Sequence, residues 1–238
     1  MEHKRLTLFA GHYGSGKTNI AVNYALHLAK EGKQVCIADL DIVNPYFRTA
    51  DSRQELESAG VELISPQFAN SNVDLPALPA QAYKLVQDKR CYGIMDIGGD
   101  DRGALALGRY VPEIRQENNY EMLLVINKSR PLTRTPEATA EVLREIESAC
   151  GLGFTAIVNN TNLGLQTAAE DVLSSLSYAE AVSRLTGLPI KMTCCAQELY
   201  PSLQPHVENL FPLALQKLYY QIKTEVPNGE INISGRTV

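Results

Sequence analysis

Apolar positions along the chain follow two alternating patterns. Short apolar runs predict buried strands, and longer segments with an apolar residue every three to four positions predict helices between them. The runs predicted as strands are residues 6–10, 35–40, 61–64, 92–97, 122–127, 155–159 and 190–194, and the segments predicted as helices are residues 18–31, 77–89, 104–116, 136–149, 168–186 and 207–223. This alternation predicts an α/β fold: a doubly wound, mostly parallel sheet with helices on both faces.

The alternation continues without an internal repeat or a long linker, so it predicts one domain. A chain of 238 residues with 45% hydrophobic content can bury a large core. We expect a single domain over residues 1–226, followed by a loose polar tail over 227–238. Ligands of such sheets bind beyond the carboxyl ends of the strands. Candidate site residues are therefore expected where strands end.

The first strand is followed by a glycine-rich loop that opens a helix. Its residues are Gly11, His12, Tyr13, Gly14, Ser15, Gly16, Lys17 and Thr18, with Asn19 next in the helix. Glycines let backbone N–H groups turn toward a phosphate, a lysine reaches the β- and γ-phosphates, and a threonine hydroxyl holds Mg²⁺. The helix N-terminus adds the positive end of its dipole. The predicted domain is thus a P-loop nucleotide-binding domain.

The second strand ends in two carboxylates, Asp39 and Asp41. Residues two apart on a strand share a face, so both can point toward the phosphate loop. One interpretation assigns them to water positioning and Mg²⁺ support. The competing one is a dinucleotide fold, in which an acidic residue binds ribose. The glycine pattern of that fold fails because Asn19 occupies its last glycine position, and Lys17 with Thr18 favours a triphosphate.

The fourth predicted strand ends in Asp96, which Gly98 and Gly99 follow. An aspartate at the tip of an apolar strand is typical of the residue that holds the Mg²⁺ shell in nucleotide hydrolases. A residue without Cβ lets a backbone N–H approach the γ-phosphate closely. Asp100 and Asp101 come next, and acidic loop residues of this kind are more often simply solvated. We therefore predict Asp96, Gly98 and Gly99 as site residues.

A later strand ends in Asn159 and Asn160. An asparagine amide both donates and accepts, so Asn159 can read the edge of a purine. Asparagine is also a common turn residue after a strand. The chemistry of the residue leaves both interpretations open.

Composition narrows the function classes. The formal charge of −5 and the pI near 5.5 disfavour a surface built for nucleic acid or for anionic lipid. Five cysteines, an odd number and without C-x-x-C spacing, indicate free thiols in a reducing compartment. The short start before the first strand leaves no room for a targeting peptide, and no apolar run is long enough to span a bilayer. We expect a cytoplasmic protein.

Together these motifs resemble the MinD/ParA/Mrp group of the SIMIBI class of P-loop NTPases, which includes the CobQ/CobB nucleotide-binding domain. The resemblance covers most of residues 5–200 and rests on the phosphate loop, Asp39 with Asp41, Asp96 with its glycines, and the strand end at Asn159. Residues 39–45 resemble the first switch of the group, and residues 96–101 resemble the second.

The resemblance implies roles for individual residues. Lys17 and Thr18 would bind phosphate and Mg²⁺, while Asp41 would orient the attacking water with support from Asp39 and would also lie near the metal. Asp96 would hold the Mg²⁺ shell, and Asn159 would face the base. ATP or ADP would be the nucleotide. Members of the group commonly form a nucleotide-dependent homodimer and switch a protein partner.

One position departs from the group's pattern. Most members have a signature lysine near the start of the loop, and this chain has His12 there. At neutral pH an imidazole is a weaker phosphate ligand than an ammonium group. Arg48 or Arg102 can supply the missing charge as an arginine finger, or either can be an ordinary surface arginine.

Two other features, a pair of adjacent cysteines and an apolar stripe near the C-terminus, are not predicted to form sites. Adjacent strand residues point to opposite faces, so Cys194 and Cys195 are expected to be buried small residues rather than a metal pair within one chain. The apolar stripe of the predicted helix 207–223 is expected to pack on the core rather than on a membrane, because its polar face has few cations.

Three functions remain open at the level of sequence. The first is a slow Mg·ATP hydrolase that regulates or serves a protein partner through switch loops. The second is an ATP-dependent ligase or kinase resembling the CobB or dethiobiotin synthetase branch, with the loop 66–76 near its substrate. The third is a nucleotide-gated scaffold or metallochaperone with little turnover.

Overall fold

The computed structural model describes residues 3–40, 52–64, 82–99 and 101–215. Its strands in chain order are β1 (Leu6–Ala10), β2 (Val35–Leu40), β3 (Glu62–Ile64), β4 (Tyr92–Ile97), β5 (Tyr120–Ile126), β6 (Ala156–Asn159), β7 (Ile190–Ala196) and β8 (Leu210–Leu213). They form one sheet in the order β3-β2-β4-β1-β5-β6-β7-β8, and every neighbouring pair is parallel. The α/β class and the mostly parallel sheet are confirmed.

Eight helices lie among the described residues. They are α1 (Lys17–Lys30), α2 (Arg53–Ser58), α3 (Tyr83–Gln87), α4 (Asp101–Gly108), α5 (Val111–Glu117), α6 (Pro136–Cys150), α7 (Ala169–Thr186) and α8 (Tyr200–Leu203). Their ends follow from sequence. At α6, the Thr135 hydroxyl accepts a hydrogen bond from the Ala138 N–H at 3.2 Å, Pro136 is the first helical residue, and Gly151 ends the helix in the left-handed conformation.

The sheet separates two apolar layers, because strand side chains alternate between its faces. On one face, α1 packs through a helical stripe that includes Ile20, Tyr24 and Leu28, and α2 adds Leu56. The helices from α3 to α7 cover the opposite face. Helices therefore lie on both faces, as the sequence predicts, and the N-terminus of α1 stands at the carboxyl end of β1.

Two predicted helices differ in the structure. The segment 104–116 is divided into α4 and α5, with Pro112 in the first turn of α5. The prediction of a helix over 207–223 is wrong where it can be checked, because residues 210–213 form β8 beside β7. Pro212 lacks the N–H that a helix interior needs, whereas a strand at the edge of a sheet tolerates it. The apolar stripe still packs inward through Phe211 and Leu213.

Several predictions lie outside the described residues. They concern Asp41, Arg48, Asp100, the loop 66–76, the end of the predicted helix at 216–223 and the tail 227–238; the Arg102 side chain is also outside what is described. Among the described residues, no helix is both long and apolar enough to cross a membrane.

Candidate nucleotide-binding site

The glycine-rich loop connects β1 to α1 at the carboxyl edge of the sheet and contacts the ends of β5 and β6. Gly16 has a φ of 91°, a conformation that side chains with a Cβ rarely adopt. A Cβ on Gly16 would lie 2.3 Å from Asn160 Nδ2, and one on Gly11 would lie 2.4 Å from the carbonyl oxygen of Val125. The loop is therefore fixed by backbone contacts that only glycine allows.

The phosphate loop ends at a helix N-terminus that no side chain caps. Beside it, the Ser15 hydroxyl is fully buried and has no hydrogen-bond partner among the residues that the structure describes. An unsatisfied hydroxyl at a helix N-terminus, where the dipole is positive, fits an anion such as a phosphate group.

Lys17 lies at the same point. Its side chain is buried, and Nζ donates to the carbonyl oxygen of His12 at 3.3 Å. Gly99, from the segment after β4, packs directly against the loop. A Cβ on Gly99 would lie 2.9 Å from Lys17 Nζ and 2.6 Å from the Tyr13 backbone nitrogen. The segment after β4 thus reaches the phosphate loop and its lysine, as the sequence predicts for Gly99.

Asp39 and Asp96 are direct neighbours on adjacent parallel strands, since Asp39 of β2 pairs with Asp96 of β4. Asp39 is 4% exposed and Asp96 is fully buried. Each lies two residues after a side chain of the α1-facing layer, Ile37 and Ile94, so both carboxylates are on the face that α1 covers. Two carboxylates therefore stand beside the start of α1.

These donors fit a hard divalent cation. Mg²⁺ prefers oxygen ligands and is usually held by one or two carboxylates together with substrate phosphates. The Thr18 hydroxyl, at the second residue of α1, and the two carboxylates on the face that α1 covers are buried oxygen donors. The chemistry of the donor set thus agrees with the predicted metal residues Thr18 and Asp96.

The strand end at β6 places its two asparagines on different faces of the sheet. Asn159 is fully buried, donates to Ser175 Oγ at 2.8 Å, and accepts from Thr161 Oγ1 at 2.9 Å. Because side chains alternate, Asn159 lies on the face covered by α7, whereas Asn160 lies on the α1 side and donates to the carbonyl oxygen of Ser15 at 2.7 Å. The residue of this strand end that contacts the phosphate loop is Asn160 rather than Asn159.

Two contacts of the loop were missed at the level of sequence. Besides Asn160, Arg130 after β5 donates from Nε to the carbonyl oxygen of Gly14 at 2.8 Å. The available signal was position, because Arg130 follows β5, the neighbour of β1, and Asn160 follows β6, the next strand on that side of the sheet. Asn127, at the end of β5, is fully buried and its Nδ2 has no partner among the described residues.

The remaining predicted loop residues are more exposed. His12 Nδ1 lies 3.0 Å from the carbonyl oxygen of Tyr13, and the Tyr13 side chain is exposed. Asn19 is half-buried, and its carbonyl oxygen accepts from Asn23 Nδ2 at 2.8 Å within α1. These residues line the outer side of the loop.

Cys194 and Cys195 are free, buried and packed in different apolar layers. Burial raises the pKa of Cys194, and burial also raises the pKa of Cys195 to about 11. Protonated thiols on opposite faces are poor metal ligands. The positions agree with the expectation of two buried small residues.

No family model matches the sequence, and a comparison with curated proteins gives no match. Solved structures do match. The cell division protein FtsY from Thermotoga maritima superimposes with a TM-score of 0.56 at 22% identity, over 80% of this chain and 61% of FtsY. FtsY from Mycoplasma mycoides gives a TM-score of 0.53 at 18% identity, over 81% of this chain and 59% of that protein.

The Signal Recognition Particle 54 kDa protein from Aeropyrum pernix, in complex with GDP, gives a TM-score of 0.53 at 19% identity, over 81% of this chain and 41% of that protein. The present chain thus spans about three fifths of the two FtsY proteins. At such identities the likeness shows the fold alone. It confirms an α/β fold of the P-loop NTPase type and does not single out the MinD/ParA/Mrp group.

Proposed function

We propose that this chain binds Mg·ATP at the phosphate loop, hydrolyses it slowly and couples its nucleotide state to a protein partner. One observation carries the proposal. Lys17, the Asp39–Asp96 pair and Gly99 come from three separate segments and meet beside the uncapped N-terminus of α1. A core without a ligand has no need of such a concentration of buried polar groups.

Binding would depend on the loop amides and Lys17, which would neutralise the β- and γ-phosphates. Thr18 and Asp96 would hold Mg²⁺, which supplies charge neutralisation at the transferring phosphoryl group. Asp41 would orient the attacking water with support from Asp39. Catalysis of this kind is positioning and electrostatic stabilisation, and it needs no covalent intermediate.

Coupling to a partner is supported by the contact between Gly99 and the loop. A Cβ on Gly99 would lie within 3 Å of Tyr13 and Lys17, so Gly99 packs tightly against the loop. A γ-phosphate beside Lys17 would therefore bias the position of this segment and of α4, which follows it. Such order changes on hydrolysis are an established way to switch a partner surface.

The choice of purine is part of the proposal. One structural neighbour is a complex with GDP, so guanine nucleotides are the direct competitors. The test is competition between a fluorescent ATP analogue and unlabelled ATP or GTP, with and without Mg²⁺. Tighter binding of ATP that depends on Mg²⁺ supports the proposal. Preferential GTP binding would change the proposed nucleotide from ATP to GTP and would keep the proposed site.

A second candidate, acceptor-dependent phosphoryl transfer to a small molecule, is favoured by His12. Its imidazole is engaged next to its own loop, at the carbonyl of Tyr13, and brings no fixed ammonium charge for hydrolysis. Steady-state phosphate release separates the candidates. Turnover without any acceptor supports the hydrolase, whereas turnover only with a metabolite supports a ligase or kinase, and nucleotide-dependent partner capture without turnover supports a scaffold.

A further inference from the structure

Three metal-binding side chains meet at the C-terminal end of α1, about 20 Å along the helix from the phosphate loop. His3 Nε2 lies 3.2 Å from Glu31 Oε2, and His27 Nε2 lies 3.2 Å from Glu31 Oε1. One ligand atom from each of the three residues lies within 4.8 Å of the others. This cluster takes no part in the proposed nucleotide chemistry.

The spacing suits a tetrahedral ion. His27 and Glu31 are one helical turn apart, so they share a face of α1, and His3 approaches from the segment before β1. Bonds of about 2.0–2.1 Å in a tetrahedral site place ligand atoms about 3.3 Å apart. The contacts to Glu31, one at each carboxylate oxygen, match this separation, and one ligand atom of each residue lies within 4.8 Å of the others.

Tyr24 determines which nitrogen of His3 faces the cluster. The Tyr24 hydroxyl lies 2.9 Å from His3 Nδ1 and donates to Glu121 Oε1 at 3.4 Å. This contact holds the ring through Nδ1, so the other ring nitrogen, Nε2, faces Glu31. Histidine ligands are typically oriented by such a contact through their other nitrogen.

The three side chains differ in exposure. His3 is 8% exposed, whereas Glu31 is 38% exposed and His27 is 46% exposed. The His27 ring packs edge-on against Phe211 at a centroid distance of 5.6 Å. The cluster is thus closed by His3 and open to solvent on the side of His27 and Glu31, where a water can complete the ligand set.

We propose that His3, His27 and Glu31 form a binding site for one Zn²⁺ ion, with water as the fourth ligand. Two imidazoles and one carboxylate suit Zn²⁺, whereas Mg²⁺ and Ca²⁺ select oxygen ligands. The ion would join the segment before β1 to α1 and so stabilise the end of the domain opposite the phosphate loop. Without an ion, the same contacts are two histidine–carboxylate pairs.

The test is a titration of chelator-stripped, nucleotide-free protein with ZnCl₂ by isothermal calorimetry, followed by Co²⁺ substitution. We expect one Zn²⁺ per chain and the visible bands of tetrahedral Co²⁺. His27→Ala removes a ligand from an exposed position and should weaken Zn²⁺ binding at least tenfold. Tyr24→Phe, which leaves all three ligands in place, should weaken it by about 10- to 100-fold.

His206→Ala is the matched control, because His206 is exposed after α8 and belongs to no cluster of this kind among the described residues. It should bind Zn²⁺ as the unmodified chain does. Equal affinity in the His27→Ala variant, or no Zn²⁺ binding by the unmodified chain, would overturn the proposal. Lys17→Ala should retain the ion, so failure of the nucleotide site is distinguishable from failure of this one.

Discussion

The two edges of the sheet differ in whether their buried polar groups have partners. At the carboxyl edge, the Ser15 hydroxyl has no partner among the described residues, the start of α1 is uncapped, and glycine contacts hold backbone segments close together. At the amino edge, the buried charges are paired. Arg5 pairs with Glu117 and Lys191 pairs with Glu121, and all four side chains are at most 12% exposed.

Arg5 shows how completely the amino edge is satisfied. Besides its pair with Glu117, its Nη1 donates to the carbonyl oxygens of Leu85 at 2.9 Å and Cys91 at 3.1 Å. Every nitrogen of this buried guanidinium donates to a partner, so the charge serves the fold. Buried polar atoms without a partner at the opposite edge cost stability unless a ligand satisfies them, so the difference supports the carboxyl edge as the proposed binding edge.

The largest effect is expected from breaking the buried Arg5–Glu117 pair at the amino edge. Glu117→Gln leaves the buried Arg5 guanidinium without its countercharge, and should lower the free energy of unfolding by about 3–5 kcal/mol. Urea denaturation followed by circular dichroism measures it. The folded variant should keep its nucleotide affinity, because the pair lies at the opposite edge.

The control for this change is Glu57→Gln, which breaks the exposed pair with Arg53 and should cost less than about 1 kcal/mol. If Glu117→Gln cost no more than the control, or weakened nucleotide binding as well, the contrast between the two edges would be lost.

The second largest effect is expected from adding a methyl group where the segment after β4 contacts the phosphate loop. The Cβ of Gly99→Ala would meet Tyr13 and Lys17 inside 3 Å, and overpacking of this kind costs about 1–3 kcal/mol. We expect that loss in nucleotide binding, measured by fluorescence titration. Gly108→Ala is the control, since its Cβ would meet only the Cys150 carbonyl oxygen at 3.7 Å. Equal affinities in the two variants would argue against a tight contact.

Substitutions of the two neighbouring asparagines should have smaller effects, one on nucleotide affinity and the other on stability. Asn160→Ala removes the donor to the Ser15 carbonyl oxygen and should weaken nucleotide binding by about 1 kcal/mol. Asn159→Ala removes contacts with Ser175 and Thr161 and should lower stability while the folded protein keeps its affinity. A loss of nucleotide affinity in Asn159→Ala, with none in Asn160→Ala, would instead support Asn159 as the base-facing residue.

The smallest effect is expected at Arg130. Its bond to the Gly14 carbonyl oxygen is exposed to solvent, so Arg130→Ala should weaken nucleotide binding by only about 0.5 kcal/mol. Arg134→Ala, an exposed residue in the same connection, should leave the affinity unchanged in the same titration. Indistinguishable variants would show that the phosphate loop does not depend on this contact.

Sequence predicted the sheet well because buried parallel strands appear as continuous apolar runs, as in β2 and β5. The sequence-based prediction was wrong at β8, because an apolar stripe at helical spacing favoured a helix although Pro212 disfavours one. It missed α2, whose six residues bury only Leu56 and carry almost no periodic signal.

At the site, local motifs predicted the loop, Asp39 and Asp96 as separate candidates, and the strand register adds that the two aspartates are neighbours. The contact of Asn160 with the loop was beyond such reasoning, since the exact end of β6 decides which amide faces the loop. The Zn²⁺ cluster joins residues from two elements, and sequence spacing alone does not bring His3 to α1.

The most direct test of the account is nucleotide binding by Lys17→Ala. The substitution removes the buried ammonium at the centre of the predicted phosphate site and leaves both sheet edges intact. Calorimetric titration of the folded variant with ATP and Mg²⁺ should show no binding at concentrations that saturate the unmodified chain. Retained ATP affinity in a folded Lys17→Ala protein would contradict the assignment of this loop as the nucleotide site.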